Sequence, residues 1–366
     1  MTVTISPMTK SVFQQIKSRS DGSRSGKLRT RRGLVQTPFF MPVATRGAVK
    51  SLDPKVVADT GAQVLLSNTY HLHLQPGEKL IKKLGGLHAF NLWTGPILTD
   101  SGGFQIFSLS NIRTITEEGV EFSDPKTGDR IFISPEVSMR IQVALDSDII
   151  MAFDDLTGLA DDAQQRTQDA VERTHRWLER SIREFNKLTK STPDSQRPLL
   201  FGIVQGGLNK HLRAMSLEFV QNLPVDGVAI GGLSVGESRS EMHAMLDFLQ
   251  SRYDPTRPRY LMGVGDPTDM RHAIERGIDM FDCVLPTRNA RHGSVWVSGD
   301  EKLTLTNAVM ADDKRPIDPK CDCATCQTGY SRAFLRHLYK TGNPLAGSLA
   351  SVHNLRYLAR LCEEYR

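Results

Sequence analysis

The chain has 366 residues, 39% hydrophobic and 24% charged, a balance that suits a globular fold and excludes disordered or fibrous classes. Its net charge of +5 permits a polyanionic partner without requiring one, since many enzymes with small substrates are equally basic. No stretch approaches the roughly 20 apolar residues of a membrane span, and the amino-terminal MTVTISPMTKSVFQQIKSRS lacks the apolar core of a secretory signal, which predicts a cytoplasmic protein.

The densest basic stretch, Lys17 to Arg32, reads most simply as a solvated loop or hairpin. Beyond it one pattern recurs: a short apolar run, a glycine or polar cluster, then a segment of helical period. The predicted strands are FFMPVA (39–44), QVLLSN (63–68), PILTD (96–100), DIIMAFD (148–154), LLFGIVQG (199–206), GVAIGG (227–232), YLMGVG (260–265) and MFDCVL (280–285). Near-continuous apolar runs of this length suit a parallel sheet covered on both faces.

Helices are expected between them. Ser51 precedes LDPKVVADTG, and Ser134-Pro135-Glu136 supplies an N-cap, a first-turn proline and an acidic residue. Residues 163–188, 209–222, 238–252 and 267–277 also carry the helical period. Eight such units over about 250 residues predict a (β/α)₈ TIM barrel, with an open doubly wound sheet as the alternative. Residues 110–133 depart from the alternation and predict a β-hairpin turning at Lys126-Thr127-Gly128-Asp129. The expected organisation is a barrel with an N-terminal cap over 1–289, then a zinc-binding subdomain and closing helices over 290–366.

That last segment holds Cys321, Cys323 and Cys326 in a C-x-C-x₂-C cluster, followed by His337 and His353. Clustered thiols in a chain with an odd total of five cysteines point to a metal rather than to disulfides. A Cys₃His tetrahedron is a closed, structural zinc site. Spacing alone does not choose between the two histidines.

Unusual polar residues collect at the carboxyl ends of the strands, among them Asn68, Asp100, Asp154, Gln205 and Asp282, the end at which barrel enzymes build active sites. Two carboxylates flanking a glycosidic bond can divide the chemistry, one attacking the anomeric carbon and the other moving the proton. Cys283, adjacent to Asp282 on a strand, should face the opposite side and serve packing.

The blocks SNTYHLHLQPG, LTDSGGFQIFSLS, SDIIMAFDD, LFGIVQGG, AIGGLSVGE, YLMGVG, ERGIDMFDCVLPTR and CDCATC resemble the signature blocks of bacterial-type tRNA-guanine transglycosylases, the queuine tRNA-ribosyltransferase family. The resemblance runs from about Phe39 to His353. It implies exchange of the wobble guanine in tRNAs with GUN anticodons (Asp, Asn, His, Tyr), as a step of queuosine modification. Asp282 is implied as the nucleophile on the ribose and Asp100 as the general acid/base. Ser101, Asp154, Gln205, Gly232 and Leu233 are implied to bind the base with Asp100, and Phe104 and Met262 to stack on it. Arg288 and Arg291 are implied to meet the tRNA anticodon loop, and Cys321, Cys323, Cys326 and His353 to hold one structural Zn²⁺ per subunit. A homodimer is implied too.

The family pattern Asp-Glu-Cys-Thr-Pro is replaced here by Asp154-Asp155-Leu156-Thr157-Gly158, and GVGKP by a GVGDP containing Asp266. The retained GGLSVGE favours 7-aminomethyl-7-deazaguanine as incoming base, with queuine itself as the alternative. Two rival functions remain, base exchange on free nucleosides and a non-catalytic tRNA-binding subunit. The latter is disfavoured because Asp100 and Asp282 are both present.

Overall fold

The computed structural model describes residues 11–103, 113–124, 126–157 and 163–366. Its centre is eight short parallel strands: β1 (Phe39–Pro42), β2 (Leu65–Ser67), β3 (Ile97–Thr99), β4 (Ile149–Met151), β5 (Leu199–Val204), β6 (Gly227–Ile230), β7 (Arg259–Leu261) and β8 (Met280–Cys283). From β2 to β8 each strand pairs with the next, and β8 pairs with β1 through Phe281↔Phe40 and Asp282↔Met41. The remaining seam closes through a Val43–Leu66 bridge, with the Ala44 amide donating to the Leu66 carbonyl at 2.6 Å. The sheet is a barrel, not an open doubly wound sheet. All eight strands coincide with the segments expected from sequence, β7 starting one residue early.

Strand periodicity divides the core in two. Met41, Leu98, Phe201, Tyr260 and Met280 belong to the cluster inside the barrel. Their neighbours Phe40, Ile97, Leu200, Leu261 and Phe281 pack with the surrounding helices. Each such buried side chain contributes about 1.5–3 kcal/mol.

An antiparallel sheet of Phe13–Ser18, Arg24–Thr30 and Gly33–Thr37 adds Phe13, Leu28 and Val35 to the interior cluster and covers the amino-terminal mouth. The hairpin reading of the basic stretch holds, but the stretch is not simply solvated. Arg24 pairs with the fully buried Asp279 at 2.5 Å, and Arg31 and Arg32 converge on Asp146 and Asp148 at 2.5–2.8 Å. Those aspartates stand just before β8 and β4, so the arginines fasten the cap to the strand starts. Breaking such a buried pair costs about 3–5 kcal/mol.

Helix starts follow local chemistry. Ser134 caps Pro135–Ala144 by accepting from the Val137 amide, and Ser238 forms a capping box with Glu241 ahead of Arg239–Leu249. Helices also occupy Ala163–Thr189, Lys210–Gln221 and Pro267–Ile274. Ser51 is not a cap. It takes a positive φ of 63°, and Asp53 caps Pro54–Asp59 instead.

The hairpin expected over 110–133 is corrected to a three-stranded antiparallel sheet within the described residues, Arg113–Ile115, Val120–Ser123 and Arg130–Ile133. An additional turn closes where the Thr116 amide donates to the Gly119 carbonyl at 2.9 Å. After β8 the chain forms the helix Leu285–Arg291, the hairpin Ser294–Val297 with Glu301–Thr304, and the helices Ala324–Gln327, Arg332–Lys340 and Leu345–Glu363. Asn354 in the last of these donates to the Pro286 carbonyl at 2.9 Å and accepts from the Trp296 amide at 3.2 Å, tying the segment to the exit of β8. No described helix is long and apolar enough to cross a membrane.

Candidate active site and metal centre

Asp282 lies two residues beyond Met280 on β8, which puts its side chain on the inner side of the barrel wall at the carboxyl-terminal mouth. Its Oδ1 accepts from the Tyr260 hydroxyl at 2.5 Å and from the Gly263 amide at 2.8 Å. Its Oδ2 has no hydrogen-bond partner among the described residues. Burial pushes the Asp282 pKa up, against the pull of those two donors. Cys283 faces the other way, against the outer cluster, and burial pushes its thiol up to about 12. It is a packing residue.

Asp100 extends from β3 with the same parity as Leu98. Asn68, the last residue before the helix Thr69–Leu74, donates its amide to Asp100 Oδ2, while the Thr69 amide donates to Oδ1 at 2.9 Å. Burial raises the Asp100 pKa to about 7, and the negative charges of Asp282 and Asp154 push in the same direction.

Asp154, just past β4, is fully engaged. Ser101 donates to its Oδ1 at 2.8 Å and the Gln205 amide to its Oδ2 at 2.8 Å. Burial lifts its pKa to about 6. Gly103 runs so close that a Cβ there would stand 2.9 Å from the Asp154 carbonyl oxygen. Gln205 is steadied through its backbone amide, which donates to the Ser216 hydroxyl at 3.2 Å. Gly232 takes a φ of 62°, and a Cβ on it would come within 2.3 Å of Gln205 Oε1, so a side chain there would be strained and would displace Gln205. Leu233 is buried beside it, and Met262 packs half-buried against the interior cluster.

The structure thus brings Ser101, Asp154, Gln205 and Gly232 into one set of contacts, while Asp100, next to Ser101 in the chain, and Asp282 stand at the same mouth of the barrel on hydrogen-bond partners of their own. Phe104 lies outside the described residues. Arg288 and Arg291 sit on the helix that follows β8, Arg288 exposed and Arg291 half-buried with Nη1 unbonded among the described residues. Sequence reasoning assigned no role to Asn68 or Tyr260, which bond the two acids. Tyr260 shares strand parity with Met262, and that signal was available.

Cys321, Cys323, Cys326 and His353 are all buried, with ligand atoms within 4.8 Å of one another. This set could hold a metal ion. His353 turns Nδ1 toward the Cys326 and Cys323 sulfurs at 3.4 and 3.7 Å, and its Nε2 bonds the Trp296 carbonyl at 2.6 Å. An outer carbonyl that fixes the ring in this way is the usual support for a ligating imidazole. His337 is exposed on its own helix and takes no part.

A barrel mouth that carries Asp100 and Asp282 at strand ends beside a polar recess is compatible with chemistry at a glycosidic carbon. The family model described as Queuine tRNA-ribosyltransferase matches residues 19–366. A queuine tRNA-ribosyltransferase of Vibrio cholerae serotype O1 is 48% identical over 355 residues, spanning 96% of this chain and 90% of its own. That of Mannheimia succiniciproducens is 48% identical over 359 residues, spanning 96% and 92%. That of Chromobacterium violaceum is 48% identical over 349 residues, spanning 95% and 91%. The chain belongs to the queuine tRNA-ribosyltransferase family and is a glycosyltransferase.

Proposed function

We propose that this chain exchanges the wobble guanine of tRNAs with GUN anticodons for 7-aminomethyl-7-deazaguanine, through a covalent ribosyl-aspartyl intermediate. The observation that carries this reading is the unequal bonding of Asp282. Tyr260 and Gly263 hold Oδ1, which leaves Oδ2 as the open oxygen of a fixed carboxylate.

In the first half-reaction Oδ2 of Asp282 bonds to C1′ as the bond from C1′ to the guanine nitrogen breaks. The bonding pair leaves with the base, and Asp100 supplies the proton. A carboxyl with a pKa near 7 is matched to that task at neutral pH. In the second half-reaction Asp100 takes a proton from the incoming base, whose ring nitrogen displaces Asp282 and restores its carboxylate. Retention of configuration at C1′ follows from two displacements.

The base must leave its stack to reach the pocket. Asp154 then accepts from the donor edge of the purine, while Gln205 and the backbone at Gly232 and Leu233 bond its keto oxygen. Ser101 orients Asp154, Phe104 and Met262 enclose the ring, and Arg288 and Arg291 meet anticodon-loop phosphates.

We assign Zn²⁺, one per subunit, to Cys321, Cys323, Cys326 and His353, where it would close a structural tetrahedron. The reading includes a cytoplasmic homodimer, with a barrel over residues 1–289 and a metal-binding segment over 290–366.

The test is displacement of labelled guanine from tRNA, with queuine and its aminomethyl precursor compared as acceptors. The wild-type protein should release guanine and form a trappable tRNA adduct, and Asp282→Asn should do neither. An adduct that survives in Asp282→Asn overturns the assignment.

A further inference from the structure

Arg213, on the helix Lys210–Gln221, is fully buried and has no carboxylate within hydrogen-bond distance among the described residues. Its guanidinium binds four backbone carbonyls instead: Gly207 from Nε at 2.8 Å, Val204 and Gly231 from Nη1 at 3.0 and 2.6 Å, and Gly232 from Nη2 at 2.9 Å. Burial lowers its pKa to about 10, which leaves it cationic at neutral pH. A buried cation with no ion-pair contact, only the longer-range pull of Glu237, is costly, and satisfying carbonyls alone is a poor way to gain stability. Its position explains it better.

Two of the four carbonyls are consecutive, on Gly231 and Gly232. In a planar trans peptide the C=O and the following N–H point in opposite directions. Holding the Gly231 carbonyl aims the Gly232 amide away from Arg213, and holding the Gly232 carbonyl does the same for the Leu233 amide. Neither amide finds an acceptor among the described residues. Gln205, whose own amide is turned to Asp154, presses against Gly232 on the pocket side. From the other end of the turn Glu237 accepts from the Ser234 and Val235 amides, so the whole stretch is held.

We propose that Arg213 is a positioning residue that aims the Gly232 and Leu233 amides at the keto oxygen of the bound base and strengthens them as donors. The inference rests on the base-exchange reading above. A base that departs or loses a proton places negative charge on its keto oxygen. A cation behind the peptide polarises both N–H groups toward that charge without touching the substrate. Arginine suits this role because its fork can satisfy several carbonyls in one plane, whereas lysine has three donors around a point charge.

The experiment measures competitive inhibition of exchange by guanine and by 2-aminopurine, which lacks the keto oxygen, on wild type and Arg213→Lys. Arg213→Lys should weaken guanine by about 10- to 100-fold and leave 2-aminopurine within about twofold, the scale of spoiled hydrogen bonds to a buried keto oxygen. Equal weakening of both bases, or of neither, overturns the role. Should Arg213→Lys fail to fold, amide hydrogen exchange on the wild-type protein decides. Guanine should protect the Gly232 and Leu233 amides and 2-aminopurine should not; lack of protection by guanine overturns the inference. Wild-type protein that exchanges no base in tRNA defeats the parent reading, a result distinct from unchanged selectivity in the variant.

Discussion

The Tyr260 hydroxyl donates to Oδ1 of Asp282 at 2.5 Å, from the strand next to the one that carries the aspartate. Both side chains belong to the barrel wall, so the carboxylate is oriented by a neighbouring strand of the same sheet. Tyr260 is fully buried, and phenylalanine would fill the same space. Tyr260→Phe should therefore keep the fold and slow single-turnover guanine release by roughly 10- to 100-fold, the worth of about 1.5–3 kcal/mol for a hydrogen bond to a charged group. Unaltered release in that variant would count against Asp282 as the attacking group.

The two half-reactions should answer pH in opposite senses. Asp100 must carry a proton to expel guanine and must lack one to accept the proton of the incoming base. With its pKa raised to about 7 by burial, guanine release measured alone should decline above about pH 7. Base incorporation into the isolated adduct should decline below it. Asp100→Asn should abolish both limbs, and profiles of the same slope in both half-reactions would contradict the shared proton.

Asp100 should also make the fold less stable as pH rises. Its folded pKa of about 7 exceeds the ordinary 3.8, so between those values the native state keeps a proton that the unfolded chain releases. Stability conferred at low pH is lost through this window, by ~4 kcal/mol from this group alone. Asp154, raised to about 6, adds to the same slope. Denaturant titrations from pH 5 to 8 should show a shallower decline in Asp100→Asn than in wild type.

Metal binding separates the two histidines. His353→Ala should lower bound zinc and the melting temperature, because a structural metal contributes folding free energy directly. His337→Ala should change neither, since that ring is exposed and far from the thiols in role. Elemental analysis of purified variants and thermal melts before and after chelation provide the comparison. Equal zinc in His353→Ala and wild type would remove that histidine from the ligand set.

Much of this arrangement was readable from residue order, for physical reasons that differ by element. Barrel strands buried on both faces are apolar along their length, so runs such as DIIMAFD and LLFGIVQG announce themselves. Parity along MFDCVL separates the reactive face of Asp282 from the packing face of Cys283. The sheet over Arg113–Ile133 was read with one strand too few, because strands of three or four residues are too short to show an alternation. His353 and His337 stand in similar helical contexts, and only the packing of the last helix against the thiols distinguishes them. Arg213 reads as an ordinary helix-surface charge in KHLRAMSLEF. Its burial is a property of the two strand ends that meet over it.

Because Ser101 and Gln205 each already donate to one oxygen of Asp154, the reading proposed above has a base enter by exchanging partners with Gln205. A guanine-like edge offers the carboxylate donors in place of Gln205 and gives Gln205 an acceptor, while Ser101 keeps its bond, so the broken contact is replaced. Adenine presents a ring nitrogen lone pair where a donor is required and an amino group where an acceptor is required. Its entry would strand a buried carboxylate against a lone pair, a mismatch worth about 1–3 kcal/mol or more. On that reading the wrong purine would be turned away by the pocket's own bonding, before either acid acts on the sugar.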